Sequence, residues 1–202
     1  LQEAARRGMS GAISANGQGC VNGTRLLVER PVYDTYLQMI GAMAPHVKIG
    51  DPLDPASVMG PVISEDALAR MLGAIKTSVS EGARLVTGGE RLGGDFANGS
   101  FLPMTILADV RNDTEIAQHE VFGPVLTITP FDGEEEAIAL ANGTEYGLGA
   151  YIHTQNVGRA HRMAATMDAG MVHVNGSGEG MSPCAPFGGV KQSGYGRLGG
   201  EE

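Results

Sequence analysis

The sequence predicts an α/β fold with a largely parallel sheet and flanking helices. Three observations carry this. Short β-rich runs alternate with segments of helical period, with no linker or internal repeat between them. A hydrophobic share of 42% over 202 residues supplies a sizeable buried core. Thirty-one glycines, with aromatics at only 5%, point to many tight turns rather than an aromatic binding surface.

Each element has its own signal. Leu26–Val28 reads as the first strand, and Pro31 then suits a first helical turn. Tyr33, Tyr36, Leu37, Ile40, Met43 and Val47 follow it at helical spacing. Ser64 stands before acidic Glu65 and Asp66, and Leu68, Met71, Leu72, Ile75 and Val79 mark a second helix that Gly82 ends. Strands are expected at Arg84–Thr87, Met104–Leu107 and Val125–Thr129. Asp132 and Glu135 form a capping-box variant before a helix over Ala137–Ala141, which Asn142-Gly143 stops. A strand at Leu148–His153 precedes a helix after Thr154, with Val157, Ala160, Ala164 and Met167 on one face and Gly170 beyond it. Met171–Val174 is the last strand. The stretch from Asn175 to Glu202 is rich in Gly, Ser and Pro and shows neither period; a loop of that length is more often functional than idle.

Charge narrows the function classes. With 14 basic and 23 acidic residues the formal charge is −9, a balance that repels a phosphate backbone and argues against nucleic acid as a partner. No run of about eighteen apolar residues is present to span a bilayer. Leu1 to Ser10 contains arginines but no apolar core, so it is not read as a signal peptide, and the missing initial Met points to a fragment. Cys20 and Cys184 are too few for a disulfide scaffold. Of five N-x-S/T sequons, those at Asn22, Asn98, Asn142 and Asn175 are Asn-Gly pairs and the fifth is at Asn112. They are read as turns, and the chain is assigned to a reducing cytoplasm.

Several motifs fail on context. Gly194-Tyr195-Gly196-Arg197-Leu198-Gly199 matches G-x-G-x-x-G, but it lacks the preceding strand and following helix that a dinucleotide cradle requires. Gly17, Gly19 and Gly23 fail the spacing. His46, His119, His153, His161 and His173 show no metal-ligand spacing, so no metal is expected, and no G-x-S-x-G elbow occurs. Cys20 lies between small residues that let a substrate approach its sulfur. A lone cysteine is usually a small buried hydrophobe, and reactivity requires the thiolate.

Three segments change the weight given to Cys20. Gly17-Gln18-Gly19-Cys20 followed by Arg25 resembles the nucleophile segment of the aldehyde dehydrogenase family. His119-Glu120-Val121-Phe122-Gly123-Pro124-Val125 resembles its E-x-F-G-P element, and Pro186-Phe187-Gly188-Gly189-Val190-Lys191-Gln192-Ser193-Gly194-Tyr195-Gly196-Arg197 its P-F-G-G-x-K-x-S-G-x-G-R signature. Gly60-Pro61 and Asn142-x-x-x-Tyr146-Gly147-Leu148 also fit, and the resemblance covers essentially the whole chain.

The resemblance implies a Rossmann-like catalytic domain over residues 1–202, with the cofactor-binding domain before Leu1 and the pairing strand after Glu202. It implies Cys20 as nucleophile, attacking an aldehyde to give a thiohemiacetal. Hydride transfer to NAD or NADP then leaves a thioester that water hydrolyses to the acid. The Cys20 backbone N–H is one implied oxyanion donor. Glu120 matches the glutamate that binds the nicotinamide ribose, and Phe122 the aromatic near the nicotinamide ring; otherwise they read as a surface carboxylate and ordinary packing. Phe187, Gly19 and Val21 are expected to shape the aldehyde pocket, and the loop from Asn175 to Pro186 to set selectivity. Ser177, Glu179, Ser182 and Cys184 make that loop polar, with Glu179 read as a solvated carboxylate and Cys184 as a thiol without function.

Ile13 stands where the family often has phenylalanine, and Leu198 where glutamate is common. The family's general base lies in an E-L-G-G-K segment, and most of its cofactor site in a nucleotide half, neither of which the chain contains. The chain alone is therefore expected to be inactive, and the complete protein to be a homodimer or homotetramer. Two other readings are an acylating enzyme, in which coenzyme A takes the thioester, and a non-catalytic assembly or ligand-binding descendant. The presence of Cys20, Glu120 and Phe122 together argues against the latter.

Overall fold

The computed structural model, which describes residues 1–176 and 184–200, divides into two units, Leu1–Pro130 and Phe131–Glu202. The first unit runs α1 (Gln2–Ile13), β1 (Arg25–Glu29), α2 (Arg30–Met43), α3 (Glu65–Ser80), β2 (Arg84–Thr87), β3 (Thr105–Ala108), α4 (Glu115–Gln118) and β4 (Val125–Phe131), whose last residue opens the second unit. The sheet order is β1-β4-β3-β2. Strand β3 pairs parallel with β4, from Thr105 opposite Val125 to Ala108 opposite Ile128. Strand β2 joins the edge antiparallel, with an irregularity between Leu85 and Thr87. The fold is the expected α/β arrangement, a mostly parallel sheet flanked by helices.

Alternation along the two central strands makes this sheet two-sided. Ile106, Ala108, Leu126 and Ile128 join a cluster with Met9, Tyr36, Leu37 and Ile40 of α1 and α2. Their neighbours Leu107 and Val125 point the other way, into a cluster with Leu68, Met71 and Ile75 of α3 and Ile116 of α4. Successive strand side chains leave opposite faces, so a strand covered on both sides is apolar throughout. All four residues of β3 are buried.

Local signals place the helices. Pro31 lies in the first turn of α2, and the Ser64 side chain accepts the Ala67 N–H at 3.1 Å to cap α3. Helix α1 gave no sequence signal because its buried residues are Ala5, Gly8, Met9, Gly11 and Ala12, four of them very small. Their smallness permits close packing: a Cβ on Gly8 would sit 2.3 Å from the Tyr36 hydroxyl, and one on Gly11 2.3 Å from the Gly23 carbonyl oxygen.

The second unit contains α5 (Gly133–Asn142), β5 (Gly149–Ile152), α6 (Val157–Thr166) and β6 (Met171–Val174). Strands β5 and β6 pair parallel, from Gly149 opposite Met171 to Ile152 opposite Val174, across the α6 crossover. Two sequence expectations shift here. At α5 the Asp132 N–H donates to the Glu136 side chain rather than to Glu135. Helix α6 is capped by Asn156, whose side chain accepts the Arg159 N–H at 2.9 Å, and Val157 is 71% exposed instead of sharing a buried face with Ala160. Asparagines also tie loops together. Asn142 donates to the Thr166 carbonyl at 2.8 Å and accepts the Asp168 N–H at 2.9 Å. Asn175 accepts the Thr154 N–H at 3.0 Å and donates to the Thr154 carbonyl at 2.8 Å. Within the G-x-G-x-x-G string, Gly194, Gly196 and Gly199 take positive φ. Among the described residues no helix is long and apolar enough to cross a membrane.

Candidate active site

Helix α1 delivers the chain into a tight left-handed passage. Ala15, Asn16 and Gly17 have φ of 48°, 57° and 71°. For a residue with a Cβ this region costs roughly 1–2 kcal/mol, so two such residues in succession need support from their surroundings. Asn16 supplies it on one side, accepting the Gly60 N–H at 2.8 Å and donating to the Pro61 carbonyl at 3.1 Å. Gln18 accepts the Ile63 N–H at 3.0 Å. The Gly60–Pro61 piece thus becomes a strap to which the turn is tied.

Cys20 follows at once, exposed, on the turn that the Asn22 N–H closes onto the Gly19 carbonyl at 2.9 Å. The Asn22 side chain donates to the Ser14 carbonyl at 2.9 Å, tying the far end of the turn back to the end of α1. Among the described residues the Cys20 backbone N–H has no hydrogen-bond partner. A Cβ on Gly19 would meet the Asn22 amide at 3.1–3.3 Å, so a larger residue there would press on the tie. Val21 is half-buried. Arg25, at the start of β1, donates to the Asn112 side chain at 2.5 Å, and burial lowers its pKa from the ordinary value.

The Glu120–Pro124 stretch runs against this turn. A Cβ on Gly17 would lie 2.1 Å from the Gly123 carbonyl oxygen, and one on Gly123 2.5 Å from the Met71 sulfur. Two glycines about a hundred positions apart thus let backbone touch backbone, with α3 directly behind. Just before the contact, Phe122 takes a left-handed φ of 54° and is 38% exposed. Glu120 is also exposed, and desolvation by its surroundings raises its carboxyl pKa above the ordinary value. Beyond Pro124 the chain enters β4, and the Pro124 carbonyl accepts the Thr105 N–H at 2.8 Å. Gly19, Cys20, Val21, Glu120 and Phe122 therefore belong to adjoining segments of one unit.

The aldehyde dehydrogenase family model matches residues 1–202. The chain belongs to the aldehyde dehydrogenase family. Solved structures agree. HpcC from Thermus thermophilus is 41% identical with a TM-score of 0.94, over 98% of this chain and 39% of that one. A point mutant of betaine aldehyde dehydrogenase from Staphylococcus aureus, solved with NAD+ and a BME-modified cysteine, is 34% identical with a TM-score of 0.96, over 100% of this chain and 41% of that one. Aldehyde dehydrogenase from Bacillus cereus, solved as a point mutant, is 39% identical with a TM-score of 0.93, over 98% and 40%. The chain spans about two fifths of these relatives.

Within this aldehyde dehydrogenase chain, Phe187 lies in the second unit. It exchanges two backbone hydrogen bonds with Leu198, each of 2.8 Å. Phe187, Leu148, Arg197 and Leu198 contribute to the lining of a shallow cleft of about 300 Å³. Arg197 donates to the Gly189 and Gly196 carbonyls at 2.9 and 2.7 Å, bracing the glycine-rich end. Cys184 is exposed. Ser177, Glu179 and Ser182, with most of the expected selectivity loop, lie outside the described residues. Among those described, no group of His, Cys, Asp and Glu could hold a metal ion. Sequence reasoning passed over Asn16, Gln18 and Asn22, the side chains that fix the turn. The available signal was the clustering of three amide residues within Asn16–Asn22.

Proposed function

We propose that this chain is the nucleophile-bearing catalytic domain of an enzyme that oxidises an aldehyde to a carboxylic acid with NAD or NADP. The observation that carries the reading is Cys20, an exposed thiol on a turn tied at both ends, with an unengaged backbone N–H and with Gly17 packed on Gly123. The Cys20 thiolate attacks the carbonyl carbon and forms a C–S bond, while the carbonyl oxygen becomes an oxyanion. The Cys20 N–H then donates to that oxygen, whose charge is worth most to stabilise in a water-poor site. A nicotinamide held beside Glu120 and Phe122 would supply the hydride acceptor for the thiohemiacetal carbon. The resulting thioester leaves sulfur readily, and water adds at the acyl carbon to release the acid and restore the thiol.

Exposed Glu120 and Phe122 suit a cofactor: the carboxylate accepts hydrogen bonds from ribose hydroxyls, and the ring offers an apolar face. Gly19, Val21 and Phe187 are assigned to the aldehyde pocket. The general base is assigned to an E-L-G-G-K segment, a string absent from these 202 residues, so this stretch by itself is expected to be inactive. The complete protein is read as a homodimer or homotetramer on family membership, and as cytoplasmic on its two cysteines and on the reading of its sequons as turns.

The test is reduced-cofactor formation by the complete protein over a panel of aldehydes, beside Cys20→Ser. Activity is expected to fall by at least about a thousandfold in the variant, with the fold unchanged by circular dichroism. A folded Cys20→Ser protein with undiminished turnover would remove Cys20 from the chemistry. Turnover that requires coenzyme A would instead assign the acylating reaction.

A further inference from the structure

The turn that presents Cys20 adopts a backbone conformation its own sequence does not favour. Of Ala15, Asn16 and Gly17, all at positive φ, only the glycine takes that region without steric cost. Asn16 is the residue of the three with a side chain able to bond elsewhere, and it does so with both ends of its amide. Its oxygen accepts from the Gly60 N–H at 2.8 Å and its nitrogen donates to the Pro61 carbonyl at 3.1 Å. A carboxylate could make only the first of these bonds and a glycine neither. Asparagine also tolerates left-handed φ better than most residues that carry a side chain. Immediately after it, Gly17 seats against the Gly123 carbonyl, where a Cβ would lie 2.1 Å from the oxygen. Any relaxation of the passage therefore moves both the Gly123 contact and the residues that lead into Gly19 and Cys20.

We propose that Asn16 is a positioning residue for Cys20: its carboxamide clamps the left-handed turn to the Gly60–Pro61 backbone and so fixes where the thiol meets the substrate. The inference rests on reading Cys20 as the nucleophile. A residue that merely stabilised the fold would change the melting temperature and leave kcat alone. A positioning residue changes kcat while cofactor KM holds, because a misplaced nucleophile lowers the fraction of reactive encounters rather than binding.

Three variants of the complete protein separate these roles. Asn16→Gly keeps the left-handed backbone and removes the clamp; Asn16→Asp keeps the acceptor for Gly60 and removes the donor to Pro61; Cys20→Ser tests the underlying reading. The expected result is a kcat about tenfold to a hundredfold lower in Asn16→Gly, an intermediate value in Asn16→Asp, and an unchanged cofactor KM in both. The rate of Cys20 alkylation by iodoacetamide, measured in a Cys184→Ser background, should depart from the parent value in the same order. Wild-type kcat and alkylation rate in Asn16→Gly would overturn the proposal, even with a lowered melting temperature. If Asn16→Gly does not fold, wild-type kcat in Asn16→Asp overturns it equally. Full activity in Cys20→Ser overturns the nucleophile reading and this proposal together, whereas an inactive Cys20→Ser beside a fully active Asn16→Gly overturns this proposal alone.

Discussion

Glu120 faces solvent, yet partial desolvation raises its carboxyl pKa from the ordinary value. In the role proposed for it only the ionised form accepts from both ribose hydroxyls, so its titration should appear in cofactor binding. A raised pKa means that protonation on acidification begins at a higher pH than for a free glutamate, about 4.3. Cofactor affinity of the complete protein should therefore weaken on acidification, beginning at a higher pH than an unshifted glutamate would give. Glu120→Gln should bind more weakly at neutral pH, by about tenfold, and lose most of that pH dependence. Fluorescence titration of the reduced cofactor across the acidic range checks this. Parallel pH profiles for wild type and Glu120→Gln would take the glutamate out of the cofactor site.

Where elements join, a single phenol stitches α2 to the end of β3. The Tyr33 hydroxyl donates to the Asp109 carboxylate and accepts the Asp109 N–H, both at 2.8 Å, while Arg84 of β2 donates to the other carboxylate oxygen at 2.9 Å. Asp109 itself takes a left-handed φ of 59°. Burial is the main cause that pushes the Tyr33 phenol up to about 12. Tyr33→Phe leaves the Asp109 N–H without this partner and should destabilise the protein by about 1–3 kcal/mol, measured by denaturant unfolding. A folded-state pKa above the unfolded value, about 10, means that the unfolded chain releases this proton first. The Tyr33 contribution is thus whole below pH of about 10 and is lost as pH rises toward about 12. An equal stability loss on alkalisation in Tyr33→Phe would show that another group dominates. The strands on either side of this junction were legible because β3 and β4 are short, apolar and bounded by turn residues. Helix α1 was not, since an interface of Ala and Gly carries almost no hydrophobic period. Helix α4 was not either, since Glu115–Gln118 is a single turn.

Across the whole chain, the sequence disclosed the segments of the candidate site but not how they are fastened. Cys20, Glu120 and Phe122 stood in recognisable strings. The approach of Gly17 to Gly123 is a matter of backbone shape, with no side chain to announce it, and the Asn16 tie spans 44 residues to Gly60. The Asn-Gly pairs at Asn22, Asn98, Asn142 and Asn175 were read as turns, which accounts for their glycines and leaves out their amides, and the pair at Asn16 was not singled out. Asn16, Asn142 and Asn175 each use both ends of the carboxamide to bridge backbone groups, and each is followed by glycine. That pairing gives the protein a chemical clock. Asparagine before glycine is prone to attack by the next backbone nitrogen on its side-chain carbonyl with loss of ammonia; water then opens the ring to aspartate or isoaspartate, and each such event turns a donor into an acceptor facing a carbonyl. Ageing at warm, mildly alkaline pH should therefore be felt as loosened ties rather than as surface charge alone. Peptide mass mapping of aged protein should find catalytic loss keeping pace with conversion at Asn16, and full activity after complete conversion there would show the clock to be silent. Until cyclisation, the hydrogen bonds that hold these amides in place also slow the ring closure that would destroy them, so the lifetime of each tie depends on how rarely it opens.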